Sequence, residues 1–311
     1  MNQHWNRKNL DKAAVDAAAP QSLRGKLCFA MSRSALGQPV EKRTEQMDSY
    51  QEWRNAELSS SWARFSDKDV NGRDVLDFGC GNGPLSLFLA ETRNPKSITG
   101  VDLYADAIAR AQKGLAQAQP SVPVEFLVGD EQRIPVADQS VDTLLAFDCL
   151  EHVMDPQAIL TEWQRVLRPG GKALVEWFPF ASPYGPHMEA LIPVPWAQYL
   201  FGEKAMFEAA ERIYDDPAFV PRHWDKDEDG NKLPNKWKAW RSFAEQAYVN
   251  ELTTMRFKKM LKQVGFSIVR FERFGLASSR KGIGAVTGAV SRIPYFGEFI
   301  TSYVIIEIQR D

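Results

Sequence analysis

The densest chemical signal in the chain is Val75-Leu76-Asp77-Phe78-Gly79-Cys80-Gly81-Asn82-Gly83. An apolar run meets three glycines at alternate positions and passes into Pro84-Leu85-Ser86-Leu87-Phe88-Leu89-Ala90, the pattern of a parallel strand, a tight turn and a helix start. Small residues there let a ligand approach the backbone where any Cβ would stand in the way. Asp102 ends the next apolar run, Ser97-Ile98-Thr99-Gly100-Val101. It lies about twenty residues past the glycines, the distance at which a second-strand acid reaches ribose hydroxyls in nucleotide-binding βαβ units. These residues predict a nucleoside pocket. A second group, Asp148-Cys149-Leu150-Glu151-His152-Val153, gathers two carboxylates and an imidazole, side chains suited to proton transfer.

The glycine spacing selects among nucleosides. A dinucleotide turn wants Gly-x-Gly-x-x-Gly, whereas Gly79-x-Gly81-x-Gly83 is followed here by Pro84 and Leu85, which argues against a nicotinamide oxidoreductase. The pattern resembles the first motif of class I S-adenosylmethionine-dependent methyltransferases. The resemblance implies that Asp77 lies near the amino-acid end of that cofactor and that Asp102 takes its ribose. Two further matches follow in family order: Gly129-Asp130, where the acid sits by the adenine, and Leu167-Arg168-Pro169-Gly170-Gly171 before a fifth strand. Leu103, Glu131 and Phe147 complete the expected cofactor-binding set. The resemblance covers roughly residues 50 to 178. The plainer alternative is a glycine turn that is only a turn.

Composition bounds the partners. The 311 residues are 44% hydrophobic and 25% charged, ordinary globular usage and enough for a sizeable core. A net charge of −2 leaves no basic footprint of the kind nucleic-acid binders carry. Cys28, Cys80 and Cys149 lack metal or disulfide spacing and read as small buried hydrophobes in a reducing compartment. The first thirty residues hold no apolar stretch of signal-peptide length, and no run approaches the ~18 apolar residues of a membrane span. A cytoplasmic protein is expected.

The elements that must position these groups alternate as in a doubly wound, Rossmann-like α/β fold, and the resemblance implies a seven-stranded sheet whose last two strands are an antiparallel pair. Residues 1–70 read as an N-terminal arm and capping helix, with a helix-forming run from Lys12 to Ala19 behind Asp11. Tyr50, Trp53, Leu58, Trp62 and Phe65 stand at roughly helical spacing. They pack on the core or, in the sharper reading, Tyr50 or Trp53 closes over the sulfonium. Residues 71–178 form the cofactor-binding core, with strands at Ser97–Asp102, Val124–Val128, Thr143–Phe147 and Lys172–Trp177, and helices at Ala105–Ala118 and Ala158–Leu167. Residues 179–250 hold four of the nine tryptophans (Trp196, Trp224, Trp237, Trp240) and two of the four histidines (His187, His223). An insertion of that length at the carboxyl edge of a sheet reads as a helical lid making the acceptor pocket, or else as a subdomain whose tryptophans are its own core. Asp225-Lys226-Asp227-Glu228-Asp229-Gly230-Asn231 mimics a calcium loop, but its twelfth position is Lys236 rather than glutamate, so a solvated turn is predicted. Residues 251–311 supply a helix at Thr254–Val264 and strands at Ser267–Phe274 and Ser302–Gln309. Between those strands, 276–300 is apolar, with Arg280, Lys281 and Arg292, and reads as a surface insertion packed on the lid or a contact for a membrane or lipid-linked acceptor.

The resemblance implies transfer of a methyl group to a small or medium-sized acceptor, with oxygen favoured by the histidines and acids available. The alternatives are a lipid-linked acceptor and a regulatory protein that binds the cofactor without transfer. Transfer needs mainly alignment, and a base only where the acceptor must lose a proton. Glu151, His152 and His187 are the candidate catalytic residues. His187 follows a flexible Tyr184-Gly185-Pro186 turn and is expected to arrive on lid closure, whereas Glu151 and His152 could instead cap the following helix. Asp148-x-x-Glu151-His152 also resembles the acid-x-x-Glu-His pattern of ubiquinone-pathway O-methyltransferases, which holds a divalent ion. Here the first acid is Asp rather than Glu, and magnesium or manganese remains an unfavoured second reading.

Overall fold

In the computed structural model, residues 22–33, 62–221, 225–227, 230–276, 283–293 and 296–311 are described. The chain enters with α1 (Leu23–Ser32), capped by Ser22, whose hydroxyl accepts from Gly25 N at 3.0 Å. The core then alternates β1 (Asp74–Phe78), α2 (Pro84–Thr92), β2 (Ser97–Asp102), α3 (Ala105–Ala118), β3 (Val124–Val128), β4 (Val141–Phe147), α4 (Pro156–Val166) and β5 (Leu167–Trp177). The insertion carries α5 (Ala197–Leu200), α6 (Glu203–Asp215) and α7 (Phe243–Gln246). The chain returns through α8 (Thr254–Val264), β6 (Phe266–Gly275), α9 (Ile283–Ser291), α10 (Gly297–Ile300) and β7 (Thr301–Arg310). No helix among the described residues is long and apolar enough to cross a membrane.

The seven strands form one sheet in the order β3-β2-β1-β4-β5-β7-β6. The first five are parallel, and β7 runs antiparallel to both β5 and β6. The order reverses between β1 and β4, so the carboxyl ends of β1, β2 and β4 open a crevice where ligands of doubly wound folds bind. Parallel strands covered on both faces must be apolar throughout. Leu144, Leu145 and Ala146 in β4 and Ala173, Leu174 and Val175 in β5 are accordingly buried, and full burial of a leucine side chain contributes roughly 1.5–3 kcal/mol. The fifth strand begins at Leu167 rather than Lys172, because Leu167 pairs with Val141 ahead of a register shift and Gly170 turns at φ +76°. The motif expected to precede the strand therefore already belongs to it.

The insertion has its own apolar core. Trp237 and Trp240 are buried there with Phe207, Tyr214 and Phe243, and α1 adds Cys28 and Phe29. These two tryptophans fill the subdomain rather than line an acceptor cavity, while Trp224 and His223 lie outside the described residues. Tyr50, Trp53, Leu58, Lys12–Ala19, Arg280 and Lys281 also lie outside them. Asp225, expected in a solvated turn, is buried and pairs with Lys236 at 3.2 Å. The lysine that spoils the calcium pattern thus satisfies the acid at its first position. The segment after β6 folds back as α9 and α10 and meets the insertion where Trp196 Nε1 donates to Phe299 O at 2.8 Å.

Candidate functional site

The glycine turn leaves β1 with Gly79, Gly81 and Gly83 all in the left-handed region, at φ +74°, +55° and +77°. The three do different things. A Cβ on Gly83 would run into the Phe126 ring, and one on Gly79 would lie 2.7 Å from Cys149 Cβ. A Cβ on Gly81 would meet nothing within 4 Å. Gly79 and Gly83 are therefore demanded by packing as well as by conformation, while Gly81 is the residue that borders open space.

Asp102 binds this turn directly. Its Oδ2 accepts from Gly81 N at 2.8 Å, and its Oδ1 accepts from Tyr104 N at 3.0 Å. The second-strand acid and the open glycine are thus one hydrogen-bonded unit. Asp77 is only 3% exposed, and its Oδ2 accepts from Ser86 Oγ at 2.6 Å, which pins the first turn of α2 to the end of β1. Ser86 was not singled out from sequence, although a hydroxyl three residues after Gly83 at a helix start was a usable signal. Asp130 stands on the same edge, where Gly129 N donates to Asp102 O at 2.9 Å. It is exposed, and its Oδ1 accepts from Gln132 N and Arg133 N, so it shapes its own loop. Leu103 and Glu131 are exposed beside these acids. Phe147 is half-buried and stacks on Phe65 with ring centroids 4.8 Å apart.

The second half of the site starts where β4 ends. Asp148 adopts φ +54°, with its N–H donating to Glu176 O at 2.9 Å, and the chain then tightens into a 3-10 turn at Leu150–His152. Glu151, 1% exposed, points into the protein. His187 comes from the insertion, and its Nε2 lies 3.7 Å from Glu151 Oε1, too long for a hydrogen bond. The His152 and His187 rings meet edge to face at 5.4 Å, and Phe178 packs on His187 in the same manner. His187 already stands in the cluster. Its turn is packed rather than flexible, because Gly185 is buried with its N–H on Ser182 O at 3.1 Å and no room for a Cβ against Phe180, while His187 N donates to Tyr184 O at 2.9 Å. Asp148 and His187 both hold left-handed backbone, φ +54° and +55°, as do Gln119, Gln139, Trp196 and Ala247 elsewhere.

Two residues missed by sequence reading set the cluster. Tyr248 O lies 2.7 Å from His152 Nδ1. A carbonyl can only accept, so Nδ1 carries the proton and neutral His152 keeps a free lone pair on Nε2. Asn250 donates from Nδ2 to Leu150 O and Val153 O, both at 2.7 Å, and from its N–H to Glu151 O at 2.8 Å. The end of the insertion therefore clasps the turn that carries Glu151 and His152. No local pattern marks Tyr248 or Asn250, since their partners lie about a hundred residues away.

Burial governs the titration here. It raises the Glu151 carboxyl well above its usual range, and the Asp148 charge adds to the effect. It lowers His187 to about 3, with the His152 charge assisting. His152 is lowered by burial, against the opposing pull of the Tyr248 carbonyl. At neutral pH the cluster holds neutral imidazoles beside a carboxyl disposed to keep its proton. The thiols are inert, because burial raises Cys28, Cys80 and Cys149 above their ordinary values.

One donor atom each from Glu151, His152 and His187 lies within 4.8 Å of the others, the one grouping of three metal-ligating side chains among the described residues. Asp148, which the sequence pattern placed in a cation set, does not join it.

Residues 76–175 match the family model described as a methyltransferase domain. Over 105 residues the chain is 38% identical to the fatty-acid O-methyltransferase of Mycolicibacterium smegmatis, an alignment covering 33% of this chain and 36% of that protein. Over 148 residues it is 30% identical to the 27-O-demethylrifamycin SV methyltransferase of Amycolatopsis mediterranei, covering 45% of this chain and 54% of that one. The chain thus matches between about a third and a half of the length of these relatives. An S-adenosylmethionine-dependent methyltransferase structure from Mesorhizobium loti, 17% identical, aligns with 85% of this chain and 99% of its own at a TM-score of 0.48.

Proposed function

Because residues 76–175 match a methyltransferase domain, we propose that the chain is a class I S-adenosylmethionine-dependent methyltransferase that transfers a methyl group to a hydroxyl of a small or medium-sized acceptor. The observation that carries this reading is the open direction at Gly81, held by Asp102 and joined through the Gly79–Cys149 contact to the turn bearing Glu151 and His152. A nucleoside cradle and a proton-handling cluster thus adjoin on one sheet edge.

The donors fit S-adenosylmethionine. Backbone at Gly81 is open to close approach, Asp102 offers a carboxylate for ribose hydroxyls, and buried Asp77 places negative charge beside the turn. When bound, that cofactor supplies a methyl group on an activated sulfur. The chain's own task is alignment, which is worth several kcal/mol, and disposal of the acceptor's proton. An acceptor hydroxyl beside the cluster would give its proton to the unprotonated Nε2 of His152, because His187, lowered to about 3, is too weak a base. Phe178 and the insertion would keep bulk water from the cluster. A cytoplasmic setting is supported by the three free thiols.

A second reading, a lipid acceptor, is favoured by the name of the M. smegmatis relative and by Val286, Ile293, Phe296 and Phe299, apolar side chains exposed on the α9–α10 segment. The test is transfer of labelled methyl from S-adenosylmethionine into an extract fractionated into polar and lipid pools, with Asp102→Ala as control. Label in the polar pool that falls in the variant at subsaturating cofactor supports the first reading, and label in the lipid pool supports the second. Cofactor binding without transfer to either pool would sink both and leave a cofactor-binding regulator.

A further inference from the structure

We propose that Glu151, His152 and His187 form a binding site for one divalent transition-metal ion. Glu151 is 1% exposed and the His187 side chain 8% exposed. Both carboxyl oxygens of Glu151 and Nε2 of His187 are buried without a well-formed hydrogen bond among the described residues, although the Phe178 backbone and the Asp148 carboxyl stand near Glu151. Buried polar atoms are nearly always satisfied, and one unsatisfied group asks for an explanation. Here three unsatisfied atoms belong to two side chains that converge on each other.

The third member is prepared in the way metal-ligating histidines are. His152 gives its Nδ1 proton to the Tyr248 carbonyl, which fixes the ring and leaves Nε2 as a donor to a cation. The donor atoms lie within 4.8 Å of one another, and the Glu151–His187 pair already stands at 3.7 Å. Ligands about 2.0–2.1 Å from a tetrahedral ion are roughly 3.3 Å apart, so small side-chain rotations would close the set.

The donor chemistry selects the ion. Two imidazoles and one carboxylate suit zinc, cobalt, manganese or iron better than magnesium or calcium, which prefer oxygen. This differs from the oxygen-rich set of Asp148, Glu151 and His152 that the sequence pattern offered, since the insertion contributes His187 in place of Asp148. Three protein ligands leave at least one coordination position open, the arrangement of a catalytic rather than a purely structural site. The ion's role, though not its binding, rests on the methyl-transfer reading. An acceptor hydroxyl in the open position would be acidified and would stand as the alkoxide, its proton having left to solvent before the acceptor is enclosed, so that no imidazole need take it.

The test uses the full chain stripped of metal with a chelator, then titrated with cobalt(II) and followed by visible absorption, with no S-adenosylmethionine present. One cobalt per chain, displaced by zinc and bound at least tenfold more weakly in His187→Ala, is the expected result. Calorimetry with S-adenosylmethionine shows whether that variant keeps its cofactor site, and if it does not fold, Glu151→Gln serves in its place. Absence of saturable cobalt binding, or binding unchanged in both His187→Ala and Glu151→Gln, would overturn the proposal. So would magnesium competing as well as zinc does. Methyl transfer that persists in chelator while cobalt fails to bind would sink the metal site alone, and failure of transfer with cobalt bound would sink the acceptor chemistry alone.

Discussion

The glycine turn is made from consecutive residues and one acid on the next strand, whereas the acid–histidine cluster is assembled from the end of β4, a turn before α5 and the residues after α7. The proposed cradle at the turn is a matter of backbone conformation, three left-handed residues and one carboxylate. In the cluster, burial does the work, because it decides which atoms hold protons. Function that resides in local backbone can be recognised by spacing. Function that resides in an environment exists only once distant segments have closed around it.

The largest effect that would sharpen this contrast is on turnover. His152→Ala should lower it by roughly 10²- to 10⁴-fold while leaving S-adenosylmethionine affinity within about twofold. Rapid-quench turnover and calorimetry on the same sample check this, and equal losses in both would erase the division between the two regions.

Stability separates the glycines themselves. Gly83→Ala forces a side chain onto Phe126 at positive φ and should cost roughly 2–5 kcal/mol. Gly81→Ala, strained but unobstructed, should cost only about 1–2 kcal/mol. Urea unfolding of both variants would show whether the turn is uniform after all.

Asp102→Ala is the mirror of His152→Ala. Loss of a charge-assisted hydrogen bond worth about 1.5–3 kcal/mol should weaken cofactor binding roughly tenfold to a hundredfold, with turnover at saturating cofactor nearly unchanged. A fall in turnover at saturation would mean that the turn also takes part in transfer.

The smallest effect is the most specific to the cluster. Between the unfolded values of 4.5 for the carboxyl and 6.5 for the imidazole, the unfolded chain holds its proton on His187, while the folded chain holds it on Glu151. The proton count hardly changes on folding, so this pair gives the wild type little pH slope in that window. Glu151→Gln leaves only the depressed histidine, and stability should then rise with pH by up to about 1.4 kcal/mol per unit. His187→Gln leaves only the raised carboxyl, and stability should fall with pH instead. Parallel slopes in the two variants would break the assignment.

Much of the core was legible because its elements obey local rules. Ser97–Asp102, Ala105–Ala118, Val124–Val128 and Thr254–Val264 have the bounds their patterns predict. The start of β5 was misjudged because Pro169 and Gly170 look like punctuation, and only the pairing of Leu167 with Val141 makes them part of a strand. Glu151 and His152 were legible as reactive types, but their protonation was not, since no sequence window contains Tyr248, Asn250 and His187 together. The tryptophans misled because aromatic content fits a binding cavity and a small core equally well, and Trp237 and Trp240 serve the core.

Glu208 offers a practical corollary. This buried acid of α6 accepts from both the backbone and the hydroxyl of Ser22, at 2.9 and 2.6 Å, and α1 thereby supplies one wall of the insertion's core. Trimming the chain to the part that family matching recognises, residues 76–175, would keep the cofactor half of the crevice. It would discard His187 and Asn250 outright. A milder deletion, of residues 1–33 alone, would spare both and still expose Glu208 and the underside of α6. Damage from shortening the amino terminus should therefore surface more than a hundred residues downstream, as protease cutting in the insertion.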